Sequence, residues 1–170
     1  IKVGKELFTR GGPQFLESLQ KFGFEIFLDL KFHDIPNTVA AACRAASDLG
    51  VWMINVHALG GRRMMEAARE AVIQSSTQPK LIAVTILTSH SDNEIHEIGL
   101  SGSAEDNFLR LARLASDSGL DGVVCSAQEA SLLKENTSSG FLLVTPGIRP
   151  TWSVKGDQSR IMTPADAISA

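Results

Sequence analysis

Six short apolar runs, each followed by a longer segment of helical character, constrain this chain more than any other feature. The runs occupy residues 1–3, 25–30, 51–56, 81–87, 121–125 and 141–145 and are rich in Val, Ile and Leu. Residues 13–22, 37–49, 61–75, 104–118, 128–135 and 164–170 read as the helices. In segment 37–49, Ala41, Ala45, Ala46 and Leu49 fall on one helix face. Pro13 and Pro164 suit first-turn positions, and Gly23 and Gly119 suit helix exits. The runs are nearly continuous rather than alternating, as in strands buried on both faces. Repeated strand–helix units of this kind predict a parallel sheet with helices outside it. No low-complexity tract or Pro/Gly-rich linker divides the 170 residues, so one domain over residues 1–170 is expected.

Periodicity alone admits either an open doubly wound sheet or part of a (β/α)8 barrel. Neither a GxGxxG turn nor a Walker A loop is present to favour a nucleotide-binding open sheet. The polar residues decide between the two. Lys2, Asp29, His57, Thr88 and Pro146-Gly147 all read as lying at or just past the C-terminal ends of different strands. Barrel enzymes build their sites there, from several strands at once. The expected fold is therefore α/β, a (β/α)8 TIM barrel with about six of its units visible.

Composition excludes other classes. Apolar residues are 44% and charged residues 21% of the chain, ordinary globular usage. No apolar run approaches the roughly 18 residues of a membrane span, and the start has no signal-peptide pattern. A cytoplasmic protein that binds no membrane is expected. A net charge of −3 argues against a nucleic-acid partner. Cys43 and Cys125 stand in apolar surroundings without a CxxC motif and read as buried thiols, with no metal or disulfide role.

Asp29 and Lys31 are two apart on a run, so their side chains leave the same face, with Leu28 and Leu30 on the other. Such a pair can be simply an ion pair ending a strand. Charges are rarely buried without partners, however, and Lys2 from the preceding run would lie beside them. Adding Asp34 gives two lysines and two carboxylates able to alternate, an array that keeps both lysines protonated while holding a carboxylate near whatever binds.

The segment Asp29-Leu30-Lys31-Phe32-His33-Asp34-Ile35-Pro36-Asn37-Thr38 resembles the DxKxxDIPxT signature of the orotidine 5'-monophosphate decarboxylase family. Lys2-Val3-Gly4-Lys5, Asn55-Val56-His57-Ala58, Val84-Thr85-Ile86-Leu87-Thr88-Ser89 and Val123-Val124-Cys125-Ser126 continue the resemblance. So do Thr145-Pro146-Gly147-Ile148-Arg149-Pro150 and Gly156-Asp157-Gln158, in the bacterial style. The resemblance implies decarboxylation of orotidine 5'-monophosphate to uridine 5'-monophosphate in pyrimidine synthesis, without metal or cofactor. It implies that Lys31 is the proton donor, that Asp29 faces the substrate carboxylate, and that Lys2 pairs with Asp29 and reaches the ribose. Asp34, Ile35 and Thr38 would project into the site of a second subunit, so a homodimer with shared active sites is implied. Thr88 would bond the pyrimidine, and residues 89–103 would form a polar loop over the site. Arg149 and Gln158 would grip the phosphate, with residues 151–157 as a flap.

Other residues have plainer readings. His33 and His57 read as hydrogen-bonded structural histidines, and His90 and His96 as solvated. Trp52 and Met53 are core candidates, Gly60-Gly61 before a helix is either a simple turn or an anion-receiving site, and Arg62-Arg63 is a solvated helix start. Two rival functions remain. One is a magnesium-dependent sugar-phosphate decarboxylase sharing DxKxxD, in which the carboxylates would be ligands for the ion. The other is an inactive, truncated barrel: compared with the family, the chain lacks a first strand with a ribose-contacting Asp and a last strand with a Gly-Arg phosphate contact. On that comparison the 170-residue chain alone is expected to have little activity.

Overall fold

The computed structural model describes residues 1–87, 90, 92–153 and 161–169. The six apolar runs become β1 (Lys2–Gly4), β2 (Phe27–Phe32), β3 (Met53–His57), β4 (Lys80–Val84), β5 (Gly122–Val124) and β6 (Leu142–Val144). They form one parallel sheet in the order β1-β2-β3-β4-β5-β6. The helices are α1 (Lys5–Gln20), α2 (Pro36–Asp48), α3 (Gly61–Ile73), α4 (Asp92–Glu97), α5 (Ala104–Asp117), α6 (Ala130–Asn136) and α7 (Pro164–Ser169). Residues of β1 and β6 line one common cavity, so the sheet curls as a barrel wall does.

Strand faces sort as expected for double burial. Val3, Leu28, Ile54, Val56, Leu81, Ala83 and Val123 join the layer under the helices, while Phe27, Met53 and Ile82 form a smaller inner cluster. Helix α3 shows how an outer helix is held. Met64, Met65, Ala68, Ala71 and Val72 recur at helical spacing and are buried. Each fully buried Met contributes about 1.5–3 kcal/mol. In α2 the buried stripe is Val39, Cys43, Ala46 and Ser47, whereas Ala41 and Ala45 are exposed, a shift from the expected face. Helix ends carry identifiable signals. Pro36 occupies the first turn of α2, and a Ser103–Asp106 capping box opens α5.

Three expectations change. The first helix begins at Lys5, not at residue 13, and breaks at Gly12 (φ 60°, ψ −166°) before resuming at Pro13. Segment 89–103 is not wholly loop: it contains α4, anchored by buried Ile95. Trp52 is 44% exposed rather than core, because it precedes β3, whereas Met53 is buried as expected. Cys43 and Cys125 are buried and in no disulfide, and burial pushes the Cys43 thiol up to about 12. Among the described residues, no helix is long and apolar enough to cross a membrane.

Candidate active site

The parallel register of β1 on β2 sets Gly4 beside Asp29 and Lys2 beside Phe27. From there the Lys2 ammonium reaches Asp29 Oδ2 at 2.7 Å. Lys31 Nζ lies 2.5 Å from Asp29 Oδ1, so one carboxylate holds two cations from neighbouring strands. The Asp29 side chain is only 9% exposed, Lys31 26% and Lys2 57%. Burial strongly disfavours the Asp29 anion, but hydrogen bonds from Lys2, Lys31 and Asn55 and the Lys31 charge outweigh it, holding the carboxyl at about 2. Asp29 is therefore an anion at neutral pH with its acceptors already committed.

Regular alternation alone does not produce this geometry. Lys31 is one of only two non-glycine residues with positive φ, at 55°, among the described residues. Leu28 pairs with Ile54 and Phe32 with Val56, so four steps along β2 match two along β3. This bulge takes the Lys31 amide out of the strand ladder. Asn55 receives it: Lys31 N donates to Asn55 Oδ1 at 2.8 Å, and Asn55 Nδ2 donates to Asp29 Oδ1 at 2.7 Å. Asn55 is fully buried. Nothing in the motif names it. Its signal in sequence is a polar residue in an otherwise apolar strand, Met53-Ile54-Asn55-Val56.

Lys2, Phe27, Asp29 and Lys31 form one wall of a cavity of about 250 Å³. Val84, Ile86, Leu87, Val124, Val144 and Pro146 form the opposite, apolar wall. Charges facing such a wall act in a locally low dielectric, where each is worth more than in water.

The remaining expected site residues divide. Asp34, Ile35 and Thr38 are exposed and absent from the cavity lining; Asp34 Oδ1 instead accepts from the Ile35 amide at 2.6 Å. Asp34 thus does not join the Lys2–Asp29–Lys31 cluster within its own chain. Arg149 is half-buried and its guanidinium donates to the adjacent Ile148 carbonyl at 2.9 Å, so it does not line the cavity either. Thr88 and Gln158 lie outside the described residues, as does most of segment 151–157.

The histidines also differ from expectation. His57 stacks at a tilt on His33, ring centres 5.5 Å apart, and its buried Nδ1 has no hydrogen-bond partner among the described residues. Burial, followed by the positive surroundings of His33, Lys5 and Lys31, lowers its pKa to about 4. His90 is half-buried rather than solvated, and His96, though exposed, bonds the Gly102 carbonyl at 3.0 Å. Arg62 is exposed but reaches Asp117 at 3.4 Å, linking α3 to α5.

Comparison with known proteins matches this arrangement. The family model described as "Orotidine 5'-phosphate decarboxylase / HUMPS family" matches residues 1–170. The chain is 65% identical to an orotidine 5'-phosphate decarboxylase of Hydrogenovibrio crunogenus, covering 100% of this chain and 72% of that protein. It is 62% identical to one of Halorhodospira halophila, with the same coverage of both. Among solved structures, that of orotidine 5'-phosphate decarboxylase from Lactobacillus acidophilus superposes with a TM-score of 0.82 at 46% identity, over 88% of this chain and 69% of that one. The Thermotoga maritima enzyme superposes with a TM-score of 0.73 at 27% identity, over 99% of this chain and 72% of that one. The fold is thus that of these α/β barrels, with six strands of the wall present. With Lys2, Asp29 and Lys31 gathered at one cavity and its whole length matched, the chain belongs to the orotidine 5'-phosphate decarboxylase / HUMPS family.

Proposed function

We propose that this chain decarboxylates orotidine 5'-monophosphate to uridine 5'-monophosphate, with Lys31 as the proton donor. The observation that carries the reading is the Lys2–Asp29–Lys31 cluster facing an apolar wall across one cavity. The bond between the pyrimidine ring carbon and its carboxylate breaks, carbon dioxide leaves, and the electron pair stays on the ring carbon. The Lys31 ammonium stabilises that developing negative charge and then gives its proton to the carbon. Asp29, held anionic, orients the ammonium and faces the substrate carboxylate, while the more exposed Lys2 extends toward the ribose. The neutral, apolar opposite wall keeps water from competing for the carbanion.

A magnesium-dependent sugar-phosphate reaction fits these residues poorly. Both Asp29 oxygens already accept from ammonium or amide donors. We assign Asp34, Ile35 and Thr38 to the site of a partner subunit in a homodimer. Their exposure, with Ile35 at 66%, and their position outside their own cavity support this. Thr88 is assigned to the pyrimidine, and Arg149 and Gln158 to the phosphate. The reading places the protein among the cytoplasmic enzymes of pyrimidine nucleotide synthesis.

The test is Lys31→Ala in a full-length protein carrying this chain, followed by the loss of orotidine monophosphate absorbance. Turnover is expected to fall at least about 10²–10⁴-fold. A variant within about tenfold of the parent would refute Lys31 as the donor.

A further inference from the structure

We infer that Asn55 is a positioning residue for the decarboxylation, fixing both Lys31 and Asp29 through its side-chain amide. The inference rests on the function proposed above and deepens it. Asn55 is absent from the cavity lining, so it acts through the two residues it holds.

The geometry is a closed ring of bonds. Lys31 Nζ and Asn55 Nδ2 both donate to Asp29 Oδ1, and the Lys31 backbone amide donates to Asn55 Oδ1. Each bond depends on the others. Lys31 can aim its ammonium back at Asp29 because its backbone is left-handed, a conformation disfavoured for a residue with a Cβ. The bulge that allows it strips the Lys31 amide of its ladder partner. A buried amide left unbonded is unfavourable, so a replacement acceptor is required. Asn55 supplies that acceptor from the neighbouring strand, and its planar amide then points a donor at Asp29. An amide suits the position because it accepts and donates on opposite sides of one rigid group. Leu or Val would do neither. Asp would keep the acceptor but set a second carboxylate against Asp29.

The same ring fixes which Asp29 oxygen faces Lys31. Oδ1 carries Lys31 and Asn55, while Oδ2 carries Lys2. Removing the Asn55 donor frees the carboxylate to rotate and carry the ammonium with it. A displacement of about 1 Å at a reacting group is enough to cost about 10²-fold in rate.

The experiment uses Asn55→Ala and Asn55→Asp in a full-length protein carrying this chain, with folding checked by circular dichroism. Asn55→Ala is expected to lower kcat about 10–100-fold while KM changes by less than about threefold, because no substrate contact is removed. Asn55→Asp is expected to lower kcat and to move the acid limb of the pH–rate profile upward, since neighbouring carboxylates hinder each other's ionisation. A group that merely fills space would move neither the kcat-to-KM split nor the acid limb. In the unmutated protein, through-hydrogen-bond NMR couplings from Lys31 N to Asn55 Cγ and from Asn55 Nδ2 to Asp29 Cγ are expected, and these decide the matter even where a variant fails to fold. Missing couplings, or folded variants with kcat within about threefold of the parent and an unmoved acid limb, overturn the inference. A parent that releases no carbon dioxide overturns the proposed function instead, and the couplings still decide whether Asn55 holds its two partners.

Discussion

Two carboxylates stand at opposite ends of the sheet with nearly the same partners and opposite uses. Asp29, toward the C-terminal end, collects Lys2, Lys31 and the Asn55 amide. Asp121, just before β5, collects Arg69 at 3.2 Å, Lys80 at 3.9 Å and the Leu81 backbone amide at 2.8 Å. The partners of Asp121 come from α3 and the start of β4, so the group staples a helix and two strands together. The two cations that Asp29 holds, Lys2 and Lys31, come from strands that border a cavity, and both line it. Chemistry at the C-terminal end of the strands and support at the N-terminal end is the division expected of barrel enzymes. Charge count alone does not distinguish the two clusters; what lies opposite them does.

The contrast can be broken in three ways. The largest effect is expected from Asp29→Ala, which frees Lys31 and strips Asn55 of its acceptor. Turnover in a full-length protein should fall about 10²–10⁴-fold, and steady-state assays would show it. Asp121→Ala should do the reverse. It leaves the Leu81 amide and Arg69 unpaired and lowers unfolding free energy by about 1–3 kcal/mol, with kcat per folded molecule unchanged. Denaturant unfolding beside an activity assay tests both halves.

The smallest effect is acid sensitivity. The Asp29 carboxyl sits at about 2 in the folded chain against 3.8 for the free group. The unfolded chain therefore takes up this proton first as pH falls. The stabilisation is complete above about pH 4, shrinks through pH 3 and is gone once pH passes below about 2. By pH 3 the loss attributable to Asp29 is about 1 kcal/mol, and Asp29→Asn should remove that slope from the stability–pH curve. An unchanged slope would mean that the three bonds to Asp29 do not hold it ionised.

Much of the Lys2–Asp29–Lys31 cluster was legible in sequence, because its logic is local. Two residues apart on a strand means one face, and Lys2 on the adjacent strand, level with Phe27, reaches along to bring the third member. Asn55 was not legible. Its contact with Lys31 depends on a bulge, and the bulge depends on a left-handed lysine that no glycine or asparagine announces. Helix α4 was hidden for another reason: with Ile95 the one buried residue among those of the helix whose burial is described, it shows no apolar period. Segment 5–12 is missing from the helices expected from sequence because Gly11, Gly12 and Pro13 interrupt the helical pattern, whereas in the fold they mark a kink between two helical stretches. The sheet itself was plain, since strands buried on both faces leave an uninterrupted apolar record.

The bulge at Lys31 has a consequence for how the signature can vary. It absorbs an even excess of residues, so the in–out parity of β2 survives it. Phe27, Asp29 and Lys31 line the cavity, while Leu28, Leu30 and Phe32 line an apolar cleft beneath α1 and α2. An odd excess would invert everything downstream. Insertion or loss of one residue between Asp29 and Lys31 would send the ammonium into the apolar layer and turn the 34–38 segment to a different bearing. The spacing in DxKxxD is thus a parity rule of the backbone as much as a list of reactive groups.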